Sequence, residues 1–351
     1  MKRGATLEAV LAVDASTSVQ ALNADIQRTV LCLAEAGGAL SWRIAEPALE
    51  GRLGDYAGGV NSDGDAQRKL DLVAESLFSD ALRETPVASY VSEETPEASC
   101  LQGDGTLALA LDPLDGSSGI DVNAPIGALF SILPMSDEAR RDPAAAFRQP
   151  GRAQVAAGFF VFGPQASLIM STGQGVHLFT YDRNAKAFRL VEPHIAIPPG
   201  YPEFAINASN QRHWPDPVRH YVDDCLRGVD GPRGRNYNMR WMAALVAEAF
   251  RIFNRGGVYL YPADSRPGYE EGRLRLVYEA NPVAFLCEQA GGAATDGVRP
   301  ILDIPPRALH ERTPLVFGSA DKVALIRRYH EELAAPLGGA PLFGRRGLIR
   351  R

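Results

Sequence analysis

The stretch Leu107–Ser118, LALALDPLDGSS, decides how this chain is read. Leu107–Leu111 is an apolar run short enough for a buried strand. Where that strand must end stand two carboxylates three positions apart, Asp112 and Asp115, followed by Gly116, Ser117 and Ser118. Aspartates so spaced can grip a hard divalent cation through oxygen. The backbone N–H groups after Gly116 can cradle an anion, as tight turns and helix starts do. Metal-binding acids and a phosphate nest on one loop suggest chemistry at a phosphate.

Other acids fall in comparable places. Asp65 and Asp71 lie in GDAQRKLD (Gly64–Asp71), Glu93 and Glu94 end VSEE (Val91–Glu94), and Glu279 ends an apolar run before Asn281-Pro282. Asp121 follows the Gly116 turn and ranks below the others. Taken alone, DPLDG reads as a turn, Asp65 as a helix cap and Glu93-Glu94 as a solvated strand end, whereas Glu279, ending an apolar run before a Pro-started helix, stands where an acid seldom has a structural task. Together they fit a different pattern, because strand ends converge in space. Several cations bridged by shared carboxylates would polarise a phosphoryl group and acidify water. Asp and Glu, with few His or Cys, suit Mg²⁺.

The 351 residues allow two domains or one large layered one. A net charge of −6 argues against nucleic acid as a partner. The one cationic run, Arg345–Arg351, reads as a solvated end. No stretch approaches a membrane span, and no signal peptide opens the chain, so the expected location is cytoplasmic. Four cysteines without a C-x-x-C pair read as reduced thiols. There is no C-x₅-R, Walker A, G-x-S-x-G or H-E-x-x-H, which disfavours cysteine phosphatases, P-loop enzymes, serine hydrolases and zinc sites.

Periodicity predicts helices over Ser18–Glu35, stopped by Gly37-Gly38, and from Asp65 onward, with Asp71 at the edge of its apolar stripe. The Gly51–Gly64 stretch reads as a loop. Strands are expected at Ala88–Ser92, Leu107–Leu111, Ile126–Leu133, Val155–Phe162, Ser167–Met170 and Val176–Thr180, in a sheet with antiparallel pairs. After Pro198-Pro199-Gly200 the rhythm becomes α/β: strand Phe204–Ile206, helices Pro217–Leu226 and Met239–Phe250, strands Val258–Tyr261 and Leu274–Tyr278, helix Pro282–Gln289. The expected division is 1–200, 201–335 and a 336–351 tail.

The motifs GDAQRKLD, VSEE, LDPLDGSSGID (Leu111–Asp121), NMRWMAALVAEAFR (Asn238–Arg251), GGVYLYPAD (Gly256–Asp264), GRLRLVYEANPVAFLCEQAGGAATDG (Gly272–Gly297) and LDIPPRALHERTPLVFGS (Leu302–Ser319) resemble class I fructose-1,6-bisphosphatases over about Thr17–Tyr329. GYEEGRLRLVYEA (Gly268–Ala280) resembles the bacterial forms associated with carbon fixation, some of which also accept sedoheptulose 1,7-bisphosphate.

The resemblance implies an α/β/α/β/α sandwich, two sheets with helices between and outside. It implies Mg²⁺- or Mn²⁺-dependent hydrolysis of fructose 1,6-bisphosphate, with two or more ions per subunit, in the Calvin cycle or gluconeogenesis. The implied metal ligands are Glu93, Glu94, Asp112, Asp115, Glu279 and the carbonyl of Leu114. Asp65 and Asp71, with Glu94, are implied to orient and deprotonate the attacking water. Asp115, Gly116, Ser117 and Ser118 would hold the 1-phosphate. Asn207, Arg240, Tyr261 and Arg273 would surround the 6-phosphate, with Arg240 reaching in from a neighbour of a homotetramer or homodimer.

Departures from the pattern bear on substrate and regulation. Gly119 replaces an asparagine, Trp241 and Asn210 replace tyrosines, and Arg273 a lysine. Thr106 and Leu107 replace the Lys-Tyr pair that binds AMP, so weak or absent AMP inhibition is expected. A dual fructose-1,6-/sedoheptulose-1,7-bisphosphatase and an inositol-monophosphatase-like hydrolase are the enzyme alternatives; a non-catalytic phosphosugar sensor is disfavoured by the presence of Asp65, Asp71 and Glu94.

Overall fold

The computed structural model describes residues 1–14, 20–46, 54–60 and 66–334. Asp65, Ser18, residues 51–53 and 61–64 of the stretch expected as a loop, and the tail from residue 335, with its basic run, lie outside the described residues. Within that stretch Tyr56–Val60 is a strand rather than loop. Helices α1 (Leu7–Asp14) and α2 (Gln20–Ala45) precede a small antiparallel pair, β1 (Tyr56–Val60) and β2 (Ala66–Arg68), and α3 (Lys69–Leu82) follows at once. Next come β3 (Val87–Ser92), β4 (Ser99–Cys100), β5 (Leu107–Asp115), β6 (Ile126–Pro134), β7 (Ala156–Phe162), β8 (Ala166–Ser171), β9 (His177–Asp182) and β10 (Ala187–Glu192). They form one sheet in the order β10-β9-β8-β7-β6-β5-β3-β4, antiparallel except where β3 runs parallel to β5.

The second half contains β11 (Glu203–Ala205), α4 (Asp216–Leu226), β12 (Asn238–Met239), α5 (Leu245–Arg255), β13 (Val258–Tyr261), β14 (Leu274–Arg275), α6 (Asn281–Gln289), β15 (Ala293–Thr295), β16 (Arg312–Thr313), β17 (Leu315–Gly318) and α7 (Ala320–Ala334). Its main sheet has the order β12-β11-β13-β17-β15, and β14 pairs separately with β16.

Alternation along the strands builds the layers. Leu109, Leu111, Phe130 and Phe160 point from the large sheet to α2 and α3, where Val30, Leu33 and Phe78 wait. Leu129, Phe159 and Ile169 point the other way, onto Val246 and Phe253 of α5 and Val283 and Leu286 of α6. The same two helices take Tyr259 and Phe317 of the second sheet on their far side. Phe204, Leu260 and Val316 then face Val218 and Val222 of α4 and Val323 and Ile326 of α7. The result is the expected α/β/α/β/α sandwich. Strands β5 and β6 are covered on both faces, which is why they read as continuous apolar runs rather than alternating ones.

Some elements differ from expectation. Helix α2 runs through Gly37 and Gly38 instead of stopping there. A Cβ on Gly37 would sit 2.7 Å from the Phe160 ring, and one on Gly38 2.7 Å from the Tyr181 ring. Both glycines allow close helix-to-sheet approach rather than chain reversal. Helix α3 starts at Lys69, and its Asp71 is buried rather than at the core boundary. Helix α5 starts at Leu245, because Asn238 and Met239 join the sheet beside β11. The Leu274–Tyr278 run is a two-residue strand followed by a π-helical turn, Leu276–Ala280.

Candidate active site

Parallel neighbours end on the same side of a sheet, and this places the acids. Ser92 of β3 pairs with Leu111 of β5, and the Glu93 N–H donates to the Leu111 carbonyl at 3.1 Å. Glu93, Glu94 and Asp112 therefore leave the two strands side by side. Against β6, Asp112 faces Leu129 but Asp115 faces Gly127, so three steps on β5 match two on β6. That bulge re-aims the chain at Pro113-Leu114. The buried Leu114 donates its N–H to Asp112 Oδ1 at 3.0 Å.

Glu279 arrives from the second half on the π-helical turn, where its Oε2 accepts the Arg275 N–H at 2.5 Å. Oxygens of Asp112, Asp115 and Glu279 all lie within 4.8 Å of one another. Asp112 is 2% and Glu279 8% exposed. Asp115 is held by the start of α5, accepting the Val246 N–H at 2.8 Å.

Crowding buried acids is unfavourable unless something neutralises them. Burial pushes the Glu93 carboxyl well up, and Glu279, Glu94 and Asp115 add to this. Asp112 is likewise raised, first by burial and then by Glu93, Asp115 and Glu279. Burial lifts Asp115 to about 6 and Glu279 to about 7. Arg275 and Arg312 draw Glu279 back without returning it to the ordinary range. Oxygen-only donors crowded together in this way fit a hard cation.

A second set of acids adjoins this one. Asp71 caps α3, its Oδ2 accepting the Arg68 N–H at 2.7 Å, while Oδ1 is buried without a hydrogen-bond partner. Burial raises its pKa, against the opposing pull of Arg68 and the nearby Ser117 hydroxyl. Glu94 is lifted to about 7, mainly by burial, with Asp71 and Glu75 adding repulsion and a Gln67 hydrogen bond opposing it. Glu75, one turn beyond Asp71, accepts from the Tyr90 hydroxyl at 2.9 Å and the Ser92 hydroxyl at 2.6 Å. Sequence reasoning misses Gln67 and Glu75; the i, i+4 spacing of Glu75 from Asp71 is the one signal that points to Glu75.

Gly116 turns the chain with φ +79°, and Ser117–Val122 follow as a 3₁₀ turn closed by Gly119 N–H to Gly116 carbonyl at 2.7 Å. A Cβ on Gly116 would lie 2.7 Å from that of Ala244. Asp121 is not part of the acid cluster: it is half exposed and pairs with Arg68 at 2.6 Å.

From the acids an aromatic wall leads outward. Trp241 stacks on Tyr259 at 5.9 Å and touches Tyr261 at the same separation. Tyr259 is near enough to Asp115 and Glu279 that, after burial and Tyr261, they help raise its pKa. Tyr261 is raised by burial and drawn back by the adjacent Arg273 guanidinium. The exposed Arg273 lies over the Tyr269 ring at 4.7 Å, and Arg266 lies over the same ring at 4.3 Å. Tyr269 is a further residue that sequence reasoning missed. Asn207 starts the 208–213 turn, accepting the Ser209 N–H at 3.2 Å, and shares a small pocket with Tyr261 and Asp264. Arg240 stands apart on the surface, 3.6 Å from Glu203.

A five-layer sandwich that gathers carboxylates at strand ends, facing a glycine-turned loop, has the build of a sugar-phosphate phosphatase. The profile of "Fructose-1-6-bisphosphatase, N-terminal domain" matches residues 6–193, and that of the C-terminal domain residues 197–331. A class 1 fructose-1,6-bisphosphatase of Bradyrhizobium sp. (strain BTAi1) is 51% identical over 98% of each chain. One from Sinorhizobium medicae is 49% identical over 99% of each. The crystal structure of Leishmania major fructose-1,6-bisphosphatase in holo form superposes with a TM-score of 0.86 at 29% identity, covering 94% of this chain and all of that one. The chain belongs to the class 1 fructose-1,6-bisphosphatase family. Its relatives favour a bisphosphatase over the inositol-monophosphatase alternative. No described helix is long and apolar enough to cross a membrane.

Proposed function

We propose that this chain's hydrolysis of fructose 1,6-bisphosphate to fructose 6-phosphate and orthophosphate uses Mg²⁺ or Mn²⁺, two or more ions per subunit. The observation that carries this reading is the meeting of the buried Asp112 and Glu279 with the partly buried Asp115 beside the Gly116 turn. Glu93, Glu94, Asp112, Asp115, Glu279 and the Leu114 carbonyl are the groups that would hold the ions. Such ions, when bound, supply charge neutralisation on the phosphoryl oxygens and a lowered water pKa.

The chain's own groups do the rest. Gly116, Ser117 and Ser118 hold the 1-phosphate, the two serine N–H groups opening the 3₁₀ turn. Glu94 and Asp71, with Asp65, orient a water in line with the departing sugar oxygen and take its proton. Asn207, Tyr261, Arg273 and a neighbouring subunit's Arg240 grip the 6-phosphate in a homotetramer or homodimer. Two phosphate grips separated by a sugar select a bisphosphate over a monophosphate.

This reading places the protein in the cytoplasm, in the Calvin cycle or gluconeogenesis, with two units meeting near residue 200. It includes weak or absent AMP inhibition, supported by Thr106, whose hydroxyl donates to Asp25 of α2. The seven-carbon bisphosphate is a second substrate candidate, because the Trp241 stack shapes the wall of the sugar pocket. Phosphate release from fructose 1,6-bisphosphate, sedoheptulose 1,7-bisphosphate and inositol 1-phosphate, with and without Mg²⁺, tests the whole. Mg²⁺-dependent release from the first is expected; release from inositol phosphate alone overturns it.

A further inference from the structure

Arg240 is joined to the acid cluster by a short segment, and carboxylates hold that segment along its length. At the inner end Asp115 accepts the Val246 N–H. In the middle Glu248 Oε1 accepts the Met242 N–H at 2.6 Å. At the outer end Glu203 lies 3.6 Å from Nε of Arg240. Arg251 ties the last two carboxylates together, 2.8 Å from Glu203 and 3.0 Å from Glu248. Ala243, between Arg240 and α5, has φ +60°, so the segment is held in a conformation it would not choose by itself.

The charges here do not balance among the buried groups. Glu203 is 3% and Glu248 0% exposed, while one buried guanidinium, that of Arg251, serves both. The second positive charge is Arg240, whose side chain is 52% exposed. Glu203 thus stands beside Nε of that guanidinium, Nη1 donates to the Met239 carbonyl at 3.3 Å, and the half-exposed group keeps an outer edge that can meet a phosphate.

We propose that Glu203, backed by Arg251 and Glu248, is a positioning residue that fixes Arg240 for the distal phosphate of the substrate. This rests on reading Arg240 as a distal-phosphate group. Replacement of Glu203 by glutamine leaves Arg251 and Glu248 as a balanced pair, so the fold is expected to persist.

The test is a cycle of four full-length proteins, the wild type, Glu203→Gln, Arg240→Ala and the double variant, assayed with fructose 1,6-bisphosphate and Mg²⁺. Glu203→Gln is expected to raise KM about tenfold, with kcat within about twofold, a change worth one charged contact. It is expected to add nothing once Arg240 is alanine. If KM is unchanged in Glu203→Gln but rises in Arg240→Ala, the positioning proposal is overturned and the reading of Arg240 stands. If Arg240→Ala leaves KM unchanged, the reading of Arg240 fails and takes the proposal with it. Additive effects in the double variant mark a general structural role and also overturn it. Should Glu203→Gln not fold, Arg251→Lys, which keeps the charge but loses the two-sided fork, takes its place in the same cycle with the same outcomes.

Discussion

Asp71 needs only one oxygen to cap its helix, yet both are buried. Oδ2 takes the Arg68 N–H, and Oδ1 has no partner in a region where polar atoms are normally satisfied. Asparagine can still cap α3 through its carbonyl oxygen but cannot take a proton. Asp71→Asn is therefore expected to melt close to the wild type, within about 1 kcal/mol. Its kcat should fall by about 10²–10⁴-fold, the usual worth of a positioned base. Steady-state assays paired with thermal melts check this; near-normal turnover would remove Asp71 from the mechanism. At this scale Glu93, Glu94, Asp112, Asp115 and Glu279 were legible because each closes or follows an apolar run, where an acid has little local purpose, whereas Asp71 has a local task as a helix cap. Gln67, Glu75 and Tyr269 were not legible, because their partners, Glu94, Tyr90 and the two arginines, are set only by tertiary packing.

The elements were legible where burial is complete and misread where packing overrides local preference. The runs at β5 and β6 announce themselves, but the bulge that carries β5 on to Asp115 depends on its pairing with β6. Gly37 shows the same conflict. On propensity alone, Gly37→Ala should stabilise α2 by about 1 kcal/mol. The new methyl would instead meet the Phe160 ring at 2.7 Å. That ring cannot easily retreat, since Phe78, Phe130, Phe162 and Phe188 surround it at 5.7–6.1 Å between centroids. Overpacking of this kind costs about 1–3 kcal/mol. Urea denaturation of Gly37→Ala is expected to show a lower midpoint with an unchanged slope; a higher midpoint would mean that the helix, not the contact, governs this position.

Across the whole molecule, the acids proposed to hold the ions come from both halves of the chain, so on that reading ion binding and stability are linked. Folded-state pKa values raised above the ordinary carboxylate range mean that the folded protein holds protons the unfolded chain has lost. Without cations, the stability this confers is present at low pH. It is lost as pH rises from about 4.5, the unfolded range, to the value of about 7 that Glu94 and Glu279 reach when folded. A bound cation reverses the sign, because it favours the ionised carboxylates and binds only the folded chain. The cation-free protein is thus expected to melt progressively lower between pH 5 and pH 8, by this contribution, while the upward shift caused by Mg²⁺ grows over the same interval. Glu279→Gln removes one of the converging charges. It should raise the melting temperature of the cation-free protein at pH 8 and shrink the Mg²⁺ shift. Calorimetric scans of both proteins at several pH values, with Mg²⁺ or EDTA, measure all of these terms. An Mg²⁺ shift that is the same at pH 5 and pH 8, or untouched by Glu279→Gln, would place the ion somewhere other than among Asp112, Asp115 and Glu279.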